Sequence, residues 1–155
     1  MINTTLCYLE QNGSYLMLHR IKKENDINRD KWIGIGGKFE DKESPEDCVS
    51  REVLEETGLT LDSLSYRGII TFVSDKYETE WMHLFTSKHF HGTLKECDEG
   101  KLEWVKIENV RKLPLWEGDH IFLQLLQRDL PFFSLKLCYQ GDALQEAILN
   151  GEKIR

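Results

Sequence analysis

Cysteine, proline and long apolar runs are scarce in this 155-residue chain, and each scarcity excludes something. Its four cysteines, Cys7, Cys48, Cys97 and Cys138, are scattered without a C-x-x-C pair. That argues against a disulfide frame or a zinc site and for reduced, mostly buried thiols. Three prolines and no tract of biased composition argue against disorder and against a long linker. No apolar run approaches membrane-spanning length, and Met1 to Thr5 is not a basic region leading into an apolar stretch. The expectation is a soluble, cytoplasmic protein in which residues 1–155 form a single domain. A chain of this size buries about 70% of its unfolded surface around one core.

Positive charge is also in short supply, with 20 Lys and Arg against 27 Asp and Glu, a formal charge of −7. Such a chain repels nucleic-acid polymers and anionic membranes, so neither is expected as a partner. It can still take a small phosphorylated ligand if a divalent cation lies between them.

The order of elements reads as mixed α and β. Thr4–Glu10 and Tyr15–Arg20 are apolar-rich and flank Asn12-Gly13, which predicts a β-hairpin. The charged run Arg20–Lys31 has no periodicity and reads as a mobile loop. Trp32 to Gly37 alternates apolar residues with glycine, as a strand would whose backbone something approaches closely. A helix is predicted over Pro45–Thr57, with Ser44 as N-cap, Asp47 completing a capping box and Gly58 as an αL stop. Strands are expected over Leu64–Ser74, Glu80–Phe90, Leu102–Lys106 and Phe132–Tyr139, a second helix over Asp119–Gln127, and a helical tail. Strands and helices mixed in this way give a layered α/β domain. No internal repeat is visible.

The chemistry concentrates on the first helix. Glu52, Glu55 and Glu56 fall within roughly a 100° arc, while Val49, Val53 and Leu54 turn to the other side. Like charges at these spacings repel, and a divalent cation reverses the sign of that interaction. Carboxylate oxygens suit Mg²⁺ or Mn²⁺, which bind through a few carboxylates together with phosphate oxygens. Arg51, next to Glu52 and one turn before Glu55, can orient these groups through charge-assisted hydrogen bonds. Gly36 and Gly37 leave backbone groups bare, and a carbonyl there could complete a metal shell.

Gly37, Glu43 and the run Arg51-Glu52-Val53-Leu54-Glu55-Glu56-Thr57-Gly58-Leu59 together resemble the Nudix box at every defining position. The resemblance implies an α/β/α sandwich with a mixed β-sheet and hydrolysis of a nucleoside diphosphate linked to another moiety. It implies that Glu52 and Glu56 are the main metal ligands, with Glu55 and the Gly36 carbonyl beside them, and that Arg51 and Glu43 orient or support. The general base varies within the family between the box and a downstream acidic loop. Asp98-Glu99 matches that loop, and Glu99 is the choice within it; the ordinary reading of Glu99 is a surface residue near the turn at Gly100.

Within the family the chain resembles the MutT-like 8-oxo-dGTP diphosphatases of the type found in animals. Trp32, Gly34, Gly36-Gly37-Lys38, Asp98-Glu99 and Leu115-Trp116-Glu117-Gly118-Asp119 carry that likeness. It implies that Trp116 stacks on the purine and that Asp119 reads the base edge. Their ordinary readings are a partly buried core aromatic and a helix N-cap. Ile33 and Gly118 stand where the animal type has an asparagine and an acidic residue, which implies a pocket broadened toward other purine triphosphates. Lys23 and Lys38 are candidates for phosphate contact. Tyr77 resembles a tyrosine of diadenosine-polyphosphate hydrolases, so a dinucleoside polyphosphate is the alternative substrate. A non-catalytic nucleotide-binding module is the competing class, and the intact box argues against it. The five histidines show no metal-ligand spacing and are given no function.

Overall fold

The computed structural model describes residues Met1–Arg155. The chain opens with strands β1 (Ile2–Gln11) and β2 (Ser14–His19), joined at Asn12 and Gly13. Both turn residues have positive φ, 52° and 74°, the twist that a two-residue hairpin requires. After the loop 20–31 come β3 (Trp32–Ile33), helix α1 (Pro45–Thr57), β4 (Leu59–Leu61), β5 (Ser65–Ser74) and β6 (Glu80–Ser87). The chain continues through β7 (Phe90–Gly92), β8 (Lys101–Lys106), α2 (Ile107–Val110) and α3 (Glu117–Gln127). It closes with β9 (Phe133–Gln140), β10 (Ala143–Leu149) and β11 (Glu152–Lys153).

The main sheet runs β11-β10-β9-β5-β6-β1-β2-β3, with β8 also paired to β2, and a short β4–β7 ribbon lies apart. It is mixed, since β1 and β6 run parallel, as do β5 and β9, while the other pairs are antiparallel. Residues Thr4 to Leu9 of β1 are all buried because helices cover both faces. Leu6 and Tyr8 join Tyr15, Met17 and the α3 residues Phe122 and Leu125 in one apolar layer. Cys7 and Leu9 join Leu16, Leu18, Ile35 and the α1 residues Val49 and Val53 in the other. The result is the expected α/β/α sandwich. Its α1 layer fixes the glutamates against the sheet.

The ends of α1 follow the sequence closely. Ser44 Oγ accepts from the Asp47 N–H at 3.0 Å, Asp47 Oδ2 accepts from the Ser44 N–H at 3.1 Å, and Gly58 caps the far end at φ 81°. Leu54, expected with Val49 and Val53 on the apolar side, is instead 49% exposed. At 100° per residue it lies off the stripe that Cys48, Val49, Val53 and Thr57 bury.

Elsewhere the structure departs from expectation in definable ways. The predicted helical tail is the β10–β11 hairpin, although Ala-Leu-Gln-Glu-Ala-Ile-Leu is rich in helix formers. Pairing with β9 across the turn at Gly141 buries Leu144 and Ala147, and that tertiary gain overrides local propensity. α3 begins two residues before Asp119, with Trp116 at its N-cap. The glycine-alternating strand is cut to Trp32–Ile33, followed by single bridges Ile35–Cys7 and Lys38–Thr4. What approaches its backbone is β1, since a Cβ on Gly36 would sit 1.8 Å from the Thr5 carbonyl oxygen.

Because the capping box is one of the devices that fix α1, Ser44→Ala is expected to cost about 1 kcal/mol and to lower Tm by about 3 °C. Thermal melts followed by circular dichroism would check this.

Candidate active site

Arg51 organises the exposed side of the site. Its guanidinium donates from Nε to Glu43 Oε2 at 2.7 Å and from Nη2 to Glu43 Oε1 at 2.9 Å, a two-pronged clamp. Nη1 reaches Glu52 Oε1 at 2.8 Å and Glu55 Oε2 at 3.2 Å, and Nη2 also reaches the Lys38 carbonyl at 3.1 Å. The hydrogen bonds from Arg51 pull the Glu43 carboxyl down to about 2. Arg51 is in turn held more firmly charged, first by its bonds to Glu43.

The three box glutamates are graded by depth. Side-chain exposure is 58% for Glu55 and 15% for Glu52. Glu56 lies deepest, its Oε2 shielded from solvent and accepting no hydrogen bond. Burial, then the charges of Glu99 and Glu52, push the Glu56 carboxyl up to about 9. Gly37 leaves the room Glu52 occupies, because a Cβ there would lie 2.5 Å from its carboxyl carbon. The Ile35 and Gly37 carbonyls bond to β1, while no hydrogen bond reaches the Gly36 carbonyl between them.

Glu99 arrives from the loop before β8. The pairing of β8 with β2, His19 opposite Lys101, brings that loop to Arg20. Arg20 Nη1 donates to Glu99 Oε2 at 3.0 Å, and Arg20 Nε to Asp26 Oδ2 at 2.6 Å. Lys23 Nζ stands 3.4 Å from Glu99 Oε1 and Lys22 donates to the Cys97 carbonyl at 2.7 Å. Asp98 is exposed and Glu99 half-buried, so of the two acidic-loop residues Glu99 is turned inward. Sequence reasoning missed Arg20 and Asp26. In a run so rich in both charges, nothing marked the one pair that becomes buried, with Asp26 only 4% exposed.

The unbonded Glu56 Oε2, with the Glu52 and Glu99 carboxyls nearby, fits a divalent cation, which would coordinate such oxygens and offset repulsion among them. No three of these side chains already surround one point. Arg51 draws Glu52 and Glu55 to one side and Arg20 draws Glu99 to the other. Glu55, the outermost, has its one hydrogen bond from Arg51.

Beyond the carboxylates lies an aromatic corner. Trp116 is buried in the core, as its ordinary reading held, and its Nε1 donates to Asn28 Oδ1 at 2.8 Å. The Lys31 ammonium sits 5.1 Å above the indole centroid. Asp119 is buried in the first turn of α3, not at its cap, and its carboxyl accepts no hydrogen bond from the protein. Burial pushes it up to about 8, against the pull of Lys31. Ile33 packs against the α1 layer, whereas Trp32 packs against the layer that holds Trp116. The Lys38 side chain is exposed, its carbonyl serving Arg51. Tyr77 is 51% exposed on the β5–β6 connection. The histidines line no shared site: His83 bonds Asn3 and Tyr66, and His91 bonds Asp62.

A sandwich that sets a glutamate-rich helix behind a glycine-bearing loop, with a basic side chain spreading those carboxylates, defines a phosphate-handling hydrolase of the α/β/α class. The NUDIX domain model matches residues 2–126, and the chain belongs to the Nudix family. It is thus a pyrophosphohydrolase of nucleoside diphosphate derivatives, from a family that generally uses divalent metal ions on small nucleotides. It is similar to the oxidized purine nucleoside triphosphate hydrolase of Mus musculus, 33% identical over 111 residues, 71% of each chain. The protein of that name from Danio rerio is 34% identical over 137 residues, 85% of each. The crystal structure of a MutT protein from Bacillus halodurans superposes with a TM-score of 0.86 at 26% identity, covering 98% of this chain and 99% of that one. No helix is long and apolar enough to cross a membrane.

Glu56 and Asp119 both hold a proton in the fold at a pH where the unfolded chain has released it. Folding then binds protons, so stability is fully present near the unfolded carboxyl range and is lost as pH rises toward the folded values. Melting temperature of the metal-free protein is expected to fall between about pH 5 and about pH 9, with Glu56→Gln flattening part of that fall. Differential scanning fluorimetry in a chelating buffer would read both curves.

Proposed function

We propose that the chain hydrolyses purine nucleoside triphosphates, oxidised ones such as 8-oxo-dGTP among them, to nucleoside monophosphate and pyrophosphate with Mg²⁺, Mn²⁺ being able to substitute. The observation that carries this reading is the buried, unpartnered Glu56 oxygen with Glu52 and Glu99 beside it. Glu52 and Glu56 are the main metal-holding groups, with the unbonded Gly36 carbonyl next to them and Glu55 completing the outer margin. When bound, the ion neutralises phosphate charge and polarises the phosphorus centre.

The chain's own residues do the rest. Arg51 holds Glu52 and Glu55 at the margin of the site, and Glu43 fixes Arg51. Arg20 and Lys23 hold Glu99 in place, where its carboxylate can take a proton from an attacking water. Water attacks phosphorus, the proton passes to Glu99 and pyrophosphate leaves. Lys23, at the mouth of the acidic loop, and exposed Lys38 can exchange their present surroundings for phosphate oxygens. Trp116 offers its indole face to the base once the flexible Lys31 chain swings aside, and Asp119 reads the base edge. The likeness to oxidised-purine triphosphate hydrolases supports this substrate class over a dinucleoside polyphosphate, whose cue, Tyr77, lies outside the carboxylate and aromatic clusters. Four free cysteines suit a reducing compartment such as the cytoplasm. The continuous sheet from β3 to β11 supports residues 1–155 working as one unit.

A panel of deoxynucleoside triphosphates with 8-oxo-dGTP, assayed with Mg²⁺ for pyrophosphate release, tests the reading. Glu56→Gln is expected to lower kcat/KM at least about 100-fold. Equal turnover by the two proteins would refute the assignment. Glu99→Gln is expected to lower kcat by about 100-fold or more with little change in KM, the mark of a lost general base.

A further inference from the structure

The structure assigns Tyr139 to the base site: we propose that its hydroxyl is a second reader of the purine edge, beside Asp119, and favours 6-oxopurines over 6-aminopurines. This rests on Trp116 and Asp119 receiving the base. Tyr139 lies on β9, in the C-terminal hairpin beyond residues 2–126 where the family match ends.

Three observations converge on the phenol. Its ring is fixed on two sides, stacked on Phe72 with centroids 4.8 Å apart and edge-on to Trp116 at 5.7 Å. Its oxygen fills the space a side chain at position 118 would take, since a Cβ on Gly118 would lie 2.8 Å from Tyr139 Oη and 2.5 Å from Leu137 Cδ1. Finally, the Gly118 N–H donates to that oxygen at 2.7 Å, which uses an acceptor site and leaves the hydroxyl proton without a protein acceptor.

The adjacent Asp119 carboxyl likewise has no hydrogen-bond partner. Two nearly buried polar groups with unmet capacity therefore meet at the first turn of α3, the phenol through its bond from the Gly118 N–H and the carboxyl on the next residue. Leaving such groups unmet costs more there than at the surface, so a ligand that satisfies both is selected against one that satisfies only one. The phenol has a proton to give. On a 6-oxopurine the phenol donates to O6 while an Asp119 carboxyl oxygen accepts from the neighbouring N1–H; in the same register a 6-aminopurine turns its N6 donor to the phenol proton and its N1 acceptor to the carboxyl oxygen.

The test is the ratio of kcat/KM for dGTP to that for dATP, measured for the unaltered chain, Tyr139→Phe and Gly118→Ala. Gly118→Ala keeps the phenol but pushes its oxygen from its place. In either variant that retains the parent circular dichroism spectrum, the ratio is expected to fall about tenfold. An unchanged ratio, or an equal loss on both substrates, overturns the assignment and leaves Tyr139 a packing residue. Trp116→Ala separates the two levels of the argument. If it raises KM for both substrates while the Tyr139→Phe ratio stays put, only the Tyr139 assignment fails; if it moves neither KM, the base binds elsewhere and the reading beneath it fails too.

Discussion

Carboxylates crowded on one helix face stay folded only if opposite charge is built among them, and Arg51 is where this chain builds it. One planar guanidinium holds Glu43 with two bonds and touches Glu52, Glu55 and the Lys38 carbonyl. A lysine would offer the same charge without the fork. The fork ties the glycine loop, the segment before α1 and α1 itself into one rigid corner. It neutralises only part of the cluster. Glu56, deepest and with one oxygen that accepts no hydrogen bond, carries the remaining conflict, and the conflict is what makes the corner receptive to a cation.

Arg20 repeats the arrangement from the other side. Bonded to Asp26 and Glu99, it joins the charged loop 20–31 to the acidic loop before β8. That same loop supplies Asn28 to the Trp116 indole nitrogen and Lys31 to its face. One segment thus spans from the carboxylates to the aromatic corner.

The aromatic corner draws on distant parts of the chain. Trp116 and Asp119 come from the start of α3, Phe72 from β5 and Tyr139 from β9. Gly118 is a glycine here because Tyr139 and Leu137 already occupy the room beside it. Where α3 meets β9, side-chain volume at one position has been exchanged for a phenol from another strand.

Much of this was legible in the residues themselves. The hairpin at Asn12-Gly13, both ends of α1 and the box carboxylates are local patterns, in which neighbours along the chain decide conformation by sterics, capping and helical spacing. The helical tail misread into Ala143–Leu149 shows the limit: its propensities point one way, and the open edge of β9 with a place for Leu144 and Ala147 points the other and wins. Sequence determined that a carboxylate-rich helix sits behind a glycine loop. Only tertiary structure decided which glutamate is buried with an oxygen left unbonded, that Arg20 and Asp26 leave a run of look-alike charges to hold Glu99, and that Tyr139 reaches Trp116. Those outcomes depend on strand pairings between residues far apart in the chain, and burial, which sets the strength of every charge, exists only once the layers have closed.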